Sequence, residues 1–402
     1  MVVDKGYKQT EIGIIPENWD IKSLRDIVLF FNGKAHENNI TETGQFEVVN
    51  SKFISSNGTV IKYSSQNYCE LNKDDITIVM SDIPNGKALA KCFIIPENKK
   101  YALNQRIGGL RTKNGIPKYL YYQLNRNNYF LSFDSGSGQT NLRKQEILDC
   151  PIILPPLPEQ TAIASALSDM DELIAQTEKL IEKKKAIKQG VMQELLSPTD
   201  KNGKLKEGWV RKKLSEVAIF RRGSFPQPYG LDKWYDDLNG QPFVQVFDVD
   251  DNKRLKSETK RYISKEAQIM SVFAPKGTIV LTIQGSIGRI AITQYDAFID
   301  RTLLIFESYL VPFDPYFFML KIHQLFDYEK QNAPGGIIKT ITKEALSSFN
   351  ISYPPLEYQK RIGTILIDIE NEIILIENKL QKLKLQKQGM MQSLLKGKIR
   401  LV

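Results

Sequence analysis

Arginine, glutamine and asparagine carry the paired donors and acceptors that can grip a base edge, arginine on guanine and the amides on adenine. Two stretches of this chain set such residues at matching places. In each, an apolar run leads to a loop ending in glycine and a basic residue, Gly86-Lys87 and Gly288-Arg289. A second apolar run follows, then a polar-arginine step, Asn104-Gln105-Arg106 and Asp300-Arg301. Further on come glycine-rich loops, Ser135 to Asn141 and Pro334 to Thr340. Such loops can bring backbone N–H groups close to a phosphate, although they also serve as ordinary turns. The candidates for nucleic-acid contact are therefore Lys87, Gln105, Arg106, Gln139, Thr140, Arg143, Gln284, Arg289, Arg301, Lys339 and Thr340. Lys87 and Lys339 suit phosphates better than bases.

Bond-making chemistry finds no comparable constellation. The two histidines, His36 and His323, fall one in each half without metal-ligand spacing, and read as surface or packed imidazoles. Gly33-Lys34 and Gly86-Lys87 lack the remainder of a phosphate-binding P-loop. Tyr353-Pro354-Pro355-Leu356 has the prolines of the amino-methyltransferase element but the wrong flanking residues. Asp251-Asn252-Lys253 has the acid-x-Lys form found in nucleases, a triplet that chance supplies in a chain with 25% charged residues. No catalytic residue, metal ligand or cofactor is assigned to this chain.

The elements that would position these residues are announced by a repeat. Pro155 to Leu196 aligns without a gap on Pro354 to Leu395, matching at 18 of 42 positions. A fainter echo links Pro16-Glu17-Asn18-Trp19 to Lys206-Glu207-Gly208-Trp209. A period near 200 residues indicates a duplicated domain rather than a solenoid. The repeated segments have heptad spacing, which predicts two long amphipathic helices. The expected seam is Ile163, Met170, Leu173, Leu180, Ile187 and Val191 against Ile362, Ile369, Ile376, Leu383 and Met390, with Leu167, Ile174, Ile181 and Leu195 widening the stripe. Each helix is acidic in its first half (Asp169, Asp171, Glu172; Asp368, Glu370, Glu372) and basic in its second (Lys183, Lys184, Lys188; Lys382, Lys384, Lys387). Antiparallel pairing sets opposite charges together, and would place two globular parts at opposite ends of a rod about a pseudo-two-fold.

The segments between the helices hold short β-rich runs, Phe46 to Val49, Ile76 to Met80, Leu89 to Ile95, Phe243 to Phe247, Thr278 to Ile283 and Arg289 to Thr293. Helical stretches are fewer, Pro117 to Asn125 and Pro315 to Phe326. The fold class is α+β, with globular parts at residues 1–154 and 198–353 and spacer helices at 155–197 and 354–402. A net charge of +9 is compatible with a polyanion or with a mildly alkaline surface. Three cysteines, Cys69, Cys92 and Cys150, suggest buried thiols in a reducing compartment, and with no signal peptide or membrane span in view the chain is expected in the cytoplasm.

Three motifs then converge. Gly13 to Trp19 near the start, Leu154 to Gln160 opening a long helix, and Gln388 to Leu401 closing one resemble the DNA specificity subunit of type I restriction-modification enzymes. The resemblance covers the full length, although Glu357-Tyr358-Gln359 replaces the Pro158-Glu159-Gln160 of the first helix start. It implies two target recognition domains, each reading half of a split, asymmetric sequence in double-stranded DNA. The helices would act as spacer and ruler and would dock two methyltransferase subunits carrying S-adenosylmethionine. ATP-dependent restriction subunits, with ATP and Mg, would complete the assembly, leaving this chain non-catalytic. Two other readings stay open on the residues alone: a helical scaffold without a DNA role, and a stand-alone nuclease or methyltransferase.

Overall fold

The structure, a computed structural model, describes residues 5–82, 87–134, 140–332 and 343–401. The chain divides into two compact units, Met1–Leu180 with Ile376–Val402, and Ile181–Leu375. The division passes through both long helices, so each unit owns one globular α+β part and a stretch of each helix.

In the first unit four antiparallel strands lie in the order Val28–Asn32, Ile107–Thr112, Ile76–Val79 and Cys92–Ile94. A second sheet runs Tyr101–Leu103, Phe46–Val49, Tyr63–Ser64 and Ile40–Thr41, and its Tyr101–Leu103 and Phe46–Val49 are parallel. The second unit repeats the antiparallel sheet and the parallel pair, with a different outer strand on its second sheet. Its antiparallel sheet is Ala218–Arg222, Leu303–Tyr309, Ile279–Thr282 and Ile290–Ile292. Its other sheet, Arg261–Ile263, Gln241–Val244, Ala297–Ile299 and Val272–Ala274, has Gln241–Val244 parallel to Ala297–Ile299. Ile76–Val79 and Ile279–Thr282 are buried along their whole length, which is why both read as unbroken apolar runs. The helix expected at Pro315 to Phe326 continues to Asn332.

A two-stranded stem closes each globular part, Asp20–Ser23 on Pro151–Leu154 and Val210–Lys213 on Asn350–Tyr353. Each stem's second strand meets the double proline, which holds the preceding residue extended, and the long helices start at the next residue. They span Leu157–Leu196, 40 residues, and Leu356–Leu394, 39 residues. Gln160 and Gln359, matched in the repeat, fasten these starts. Each buried amide donates to a proline carbonyl, Pro155 and Pro354, at 2.8 Å, and accepts from Ile116 or Asp314 N–H at 3.3 and 3.0 Å.

Within each unit the two helix segments run antiparallel, acid on base as the charges require. Asp171 meets Lys387 at 2.5 Å and Glu178 meets Lys384 at 2.7 Å in the first unit; Glu372 meets Lys184 at 2.7 Å and Glu370 meets Lys188 at 3.2 Å in the second. The seam itself differs from expectation. Leu173, Leu180 and Ile187 are 39%, 42% and 43% exposed, whereas Ile163, Leu167, Thr177 and Ile181 are buried. Met170 and Val191 are half-buried. On the other helix Ile362, Leu366, Ile373, Leu383 and Leu394 are buried, and Ile369, Ile376 and Met390 half-buried. The buried line on the first helix instead runs through Leu167 and Ile181, which were expected only to widen the stripe. The cause is the helix's second neighbour: Leu167 packs against Tyr119 and Tyr122 of its own globular part as well as against Leu394.

The helix starts also differ from each other. Glu159 is fully buried and accepts from Trp19 Nε1 at 2.9 Å and from Arg400 at 2.5 and 2.7 Å. The segment Gly397–Arg400 thereby folds back on Trp19, and a Cβ on Gly397 would stand 2.4 Å from Pro16. At the matching place in the second unit Tyr358 is 63% exposed, and Trp209 lies beneath the ammonium groups of Lys206 and Lys321. Cys92 and Cys150 are buried, and burial pushes the Cys150 thiol up to about 12. Cys69 departs from the expected set by being only half-buried, its thiol beside the Asn32 carbonyl.

Candidate nucleic-acid interface

A parallel pair of strands directs both its carboxyl ends the same way, so the residues that follow them gather at one edge. In the first unit these are Asn50 and Asn104, and they line a polar recess of about 200 Å³ with Glu37, Ser81, Gln105 and Arg106. Glu37 accepts from Asn104 Nδ2 at 3.2 Å and Gln105 Nε2 at 2.9 Å. Burial works against its charge, but the backbone N–H groups of Glu37 and His36 and these two amides outweigh it and hold the carboxyl below its usual range. His36, fully buried, accepts from Tyr68 N–H at Nε2 (3.1 Å), which leaves Nδ1 to donate to the Lys34 carbonyl (2.7 Å). It is a packed neutral imidazole that shapes the loop carrying Glu37.

Arg106 occupies the left-handed region, φ +67°, where a non-glycine residue costs about 1–2 kcal/mol. Its backbone carbonyl accepts from Met80 N–H at 3.0 Å, and its exposed side chain has no ion pair among the described residues.

The matching edge of the second unit carries Gln245 and Asp300. Asp300 is buried, accepting from Tyr229 Oη at 3.0 Å and Thr302 N–H at 2.9 Å. Gln245 donates to the same Tyr229 hydroxyl. Burial, then the Asp300 charge, push the Tyr229 phenol up, keeping it a neutral donor. Arg301 is exposed, its guanidinium 5.3 Å from the Tyr229 ring centre. Gln284 follows Ile283, whose N–H donates at 3.0 Å to the carbonyl of Thr302, the residue after Arg301, so the two backbones are neighbours.

Both edges depend on a glycine. Gly33 and Gly223 pass so close beneath the turn that a Cβ would lie 1.9 Å from the Asn104 carbonyl oxygen and 2.3 Å from that of Ile299. No side chain fits there.

The candidates read from the sequence thus fall into groups. Gln105 with Arg106, and Gln284 with Arg301, are brought together. Thr140 pairs by its backbone with Asp82, next to the Ser81 of the recess. Arg143 opens the short helix Lys144–Leu148 with its side chain 84% exposed. Lys87 is exposed outside the recess lining. Arg289 is turned back instead, bound to Asp251 at 2.9 Å, because the tight Thr282–Arg289 hairpin aims it at the Asp250–Arg254 turn. Gln139, Lys339 and Thr340 lie outside the described residues. Glu37, Asn50, Ser81, Tyr229 and Gln245 were not among the candidates; the one available signal was that Asn50 and Gln245 end apolar runs.

A family profile described as the type I restriction modification DNA specificity domain matches residues 16–188 and again 206–385. The chain belongs to the type I restriction-modification DNA specificity family. The MjaVIII specificity subunit of a type I restriction enzyme from Methanocaldococcus jannaschii is 26% identical over 99% of this chain and 96% of its own length. Among solved structures, the S subunit of a type I system from M. genitalium covers 94% of this chain and 96% of its own, at 15% identity and a TM-score of 0.59. A chain from a study of complex assembly and conformational transition of the type I R-M system covers 96% and 99%, at 18% identity and 0.63. The specificity-subunit family accounts for two DNA target recognition domains on long helices and for a recognition role without catalysis. The scaffold and stand-alone enzyme readings are not favoured. Among the described residues no helix is long and apolar enough to cross a membrane.

Proposed function

We propose that each unit of this specificity subunit reads one half of a split, asymmetric sequence in double-stranded DNA. The readers would be the loop edges carrying Gln105 and Arg106 in one unit and Gln284 and Arg301 in the other. The observation that carries this reading is one strand plan with different side chains at the same edge. A shared scaffold supports two readers, and the unlike residues on it support two unlike half-sites. Lys87, Arg143, Lys339, Thr140, Thr340 and Gln139 would add phosphate or base contacts, and the target-reading parts would span residues 1–154 and 198–353. The helices at 155–197 and 354–402 would dock two methyltransferase subunits in the cytoplasm. S-adenosylmethionine would be held by those subunits, and ATP and Mg by restriction subunits.

Methylome sequencing of cells carrying the methyltransferase of the same system, with and without this chain, tests the reading. A split methylated motif that appears only with the chain is expected. Unchanged methylation, with both proteins expressed and associated, would sink it in favour of a scaffold.

A further inference from the structure

A tyrosine, a carboxylate and a lysine meet at corresponding places in the two units. Tyr122, on the short helix of the first globular part, donates to Asp171 Oδ2 at 2.7 Å, and Lys387 of the second long helix binds Asp171 Oδ1 at 2.5 Å. Tyr316 donates to Glu370 Oε2 at 2.8 Å, and Lys188 of the first long helix binds the same oxygen at 3.2 Å. Asp171 aligns with Glu370, and Lys188 with Lys387, at the repeat offset. In each unit one carboxylate therefore joins the globular part to both helices at once. These pairs are also better covered than the outlying bridge Glu178–Lys384: the Glu370 and Lys188 side chains are 19% and 21% exposed, against 48% and 51%.

Eleven residues earlier on the same helix, Gln160 or Gln359 holds the segment leading into the tyrosine-bearing helix, Pro117–Leu124 or Pro315–Asn332, at Ile116 or Asp314. Two anchors about 16 Å apart fix a direction, whereas one would leave a pivot. The long helices run unbroken across the division between the units, so a swing of either globular part would move its half-site.

We propose that Tyr122–Asp171–Lys387 and Tyr316–Glu370–Lys188 are positioning residues that set the permitted spacing between the two DNA half-sites. The assignment rests on the half-site reading above and deepens it. The base-reading edges are separate residues, so loosening a node should leave the two half-site sequences unchanged while widening the gaps accepted between them.

The test is the methylome of cells producing the full chain with its methyltransferase, comparing wild type with Tyr122→Phe, Tyr316→Phe and the double variant. The expected result is the same two half-sites, with methylation at gaps one base pair shorter or longer rising at least tenfold relative to the wild-type gap. A purely structural role would lower methylation at every gap alike, and that result, or an unchanged ratio, overturns the assignment. If the phenylalanine variants do not accumulate, Asp171→Glu with Glu370→Asp, which keeps both charges but shifts the oxygens by one methylene, is scored in the same way. A wild-type methylome with no split motif would overturn the half-site reading itself.

Discussion

Gln105 is already occupied in this structure, since its amide N–H donates to Glu37. That contact presents the side chain in one orientation, and on the proposed reading a base would have to replace the carboxylate, at the cost of an exchange. Gln105→Ala should relax one base position of one half-site, and Arg301→Ala one position of the other, each by about 1–3 kcal/mol in discrimination. Competition binding with single-base variants checks this, and loss spread evenly over all sequences would mark either residue as a phosphate contact. A second residue couples to pH. Lys321 is buried, bound to the Leu196 carbonyl at 3.0 Å and Gln324 at 2.7 Å, and burial, reinforced by the Lys206 charge, brings it down to about 8. Its folded value lies below its unfolded one, so between about pH 8 and 10 the unfolded chain holds more protons and stability rises with pH. Relative to Lys321→Met, the wild type should gain about 1–2 kcal/mol between pH 7.5 and 9.5 by melting curves. A flat difference would show that the ammonium is not penalised. Residue type alone marked Gln105, Arg106, Gln284 and Arg301. It could not mark Asn50, Gln245 or Tyr229, whose place depends on which distant strands pair in parallel.

The long helices were the most legible elements, because double prolines, heptads and opposed charge halves all point the same way. Their seam was less so. Sequence periodicity cannot say that a helix has a second neighbour, and Leu167 is buried by one while Leu173 and Leu180 face outward. The short strands were legible where they are buried throughout, as at Ile76–Val79, and less so at the two-residue strand Tyr63–Ser64. The start of the first helix carries its own prediction. Glu159→Ala would strand the Trp19 indole N–H and the Arg400 guanidinium together, and should lower the stability of the first unit by about 2–4 kcal/mol in thermal or urea unfolding. Glu159→Gln, which keeps an acceptor but loses the charge, should cost less. If the two variants melt alike, the ion pair contributes little beyond the hydrogen bond.

At the scale of the whole molecule, the two units share the order of their antiparallel sheet and a parallel strand pair but carry different residues at the edge that follows that pair, so on the proposed reading the target would be a composite of two choices. Replacing residues 20–135 with those of another family member should change one half-site and leave the other untouched, as read by methylome sequencing; a change in both would show that the edges do not act separately. The duplication itself was plain from the offset repeat. The strand plan shared by the two globular parts showed only in the matched steps from an apolar run through Gly86-Lys87 or Gly288-Arg289 to Arg106 or Arg301, because the rest is kept by pairing and burial rather than by residue identity.

The return of Gly397–Arg400 to Trp19 and Glu159 also bears on the order in which the protein can be completed on the ribosome. Residues 181–375 form the second unit without help from later sequence, whereas the first unit needs residues from 376 onward to fill its core and neutralise its buried carboxylate. At about 5–20 residues per second, the first unit emerges early and then waits roughly 10–40 seconds for its last segment. The half that is made first is therefore the half that is finished last. During that interval its indole and apolar helix face are open to chaperones or to another chain.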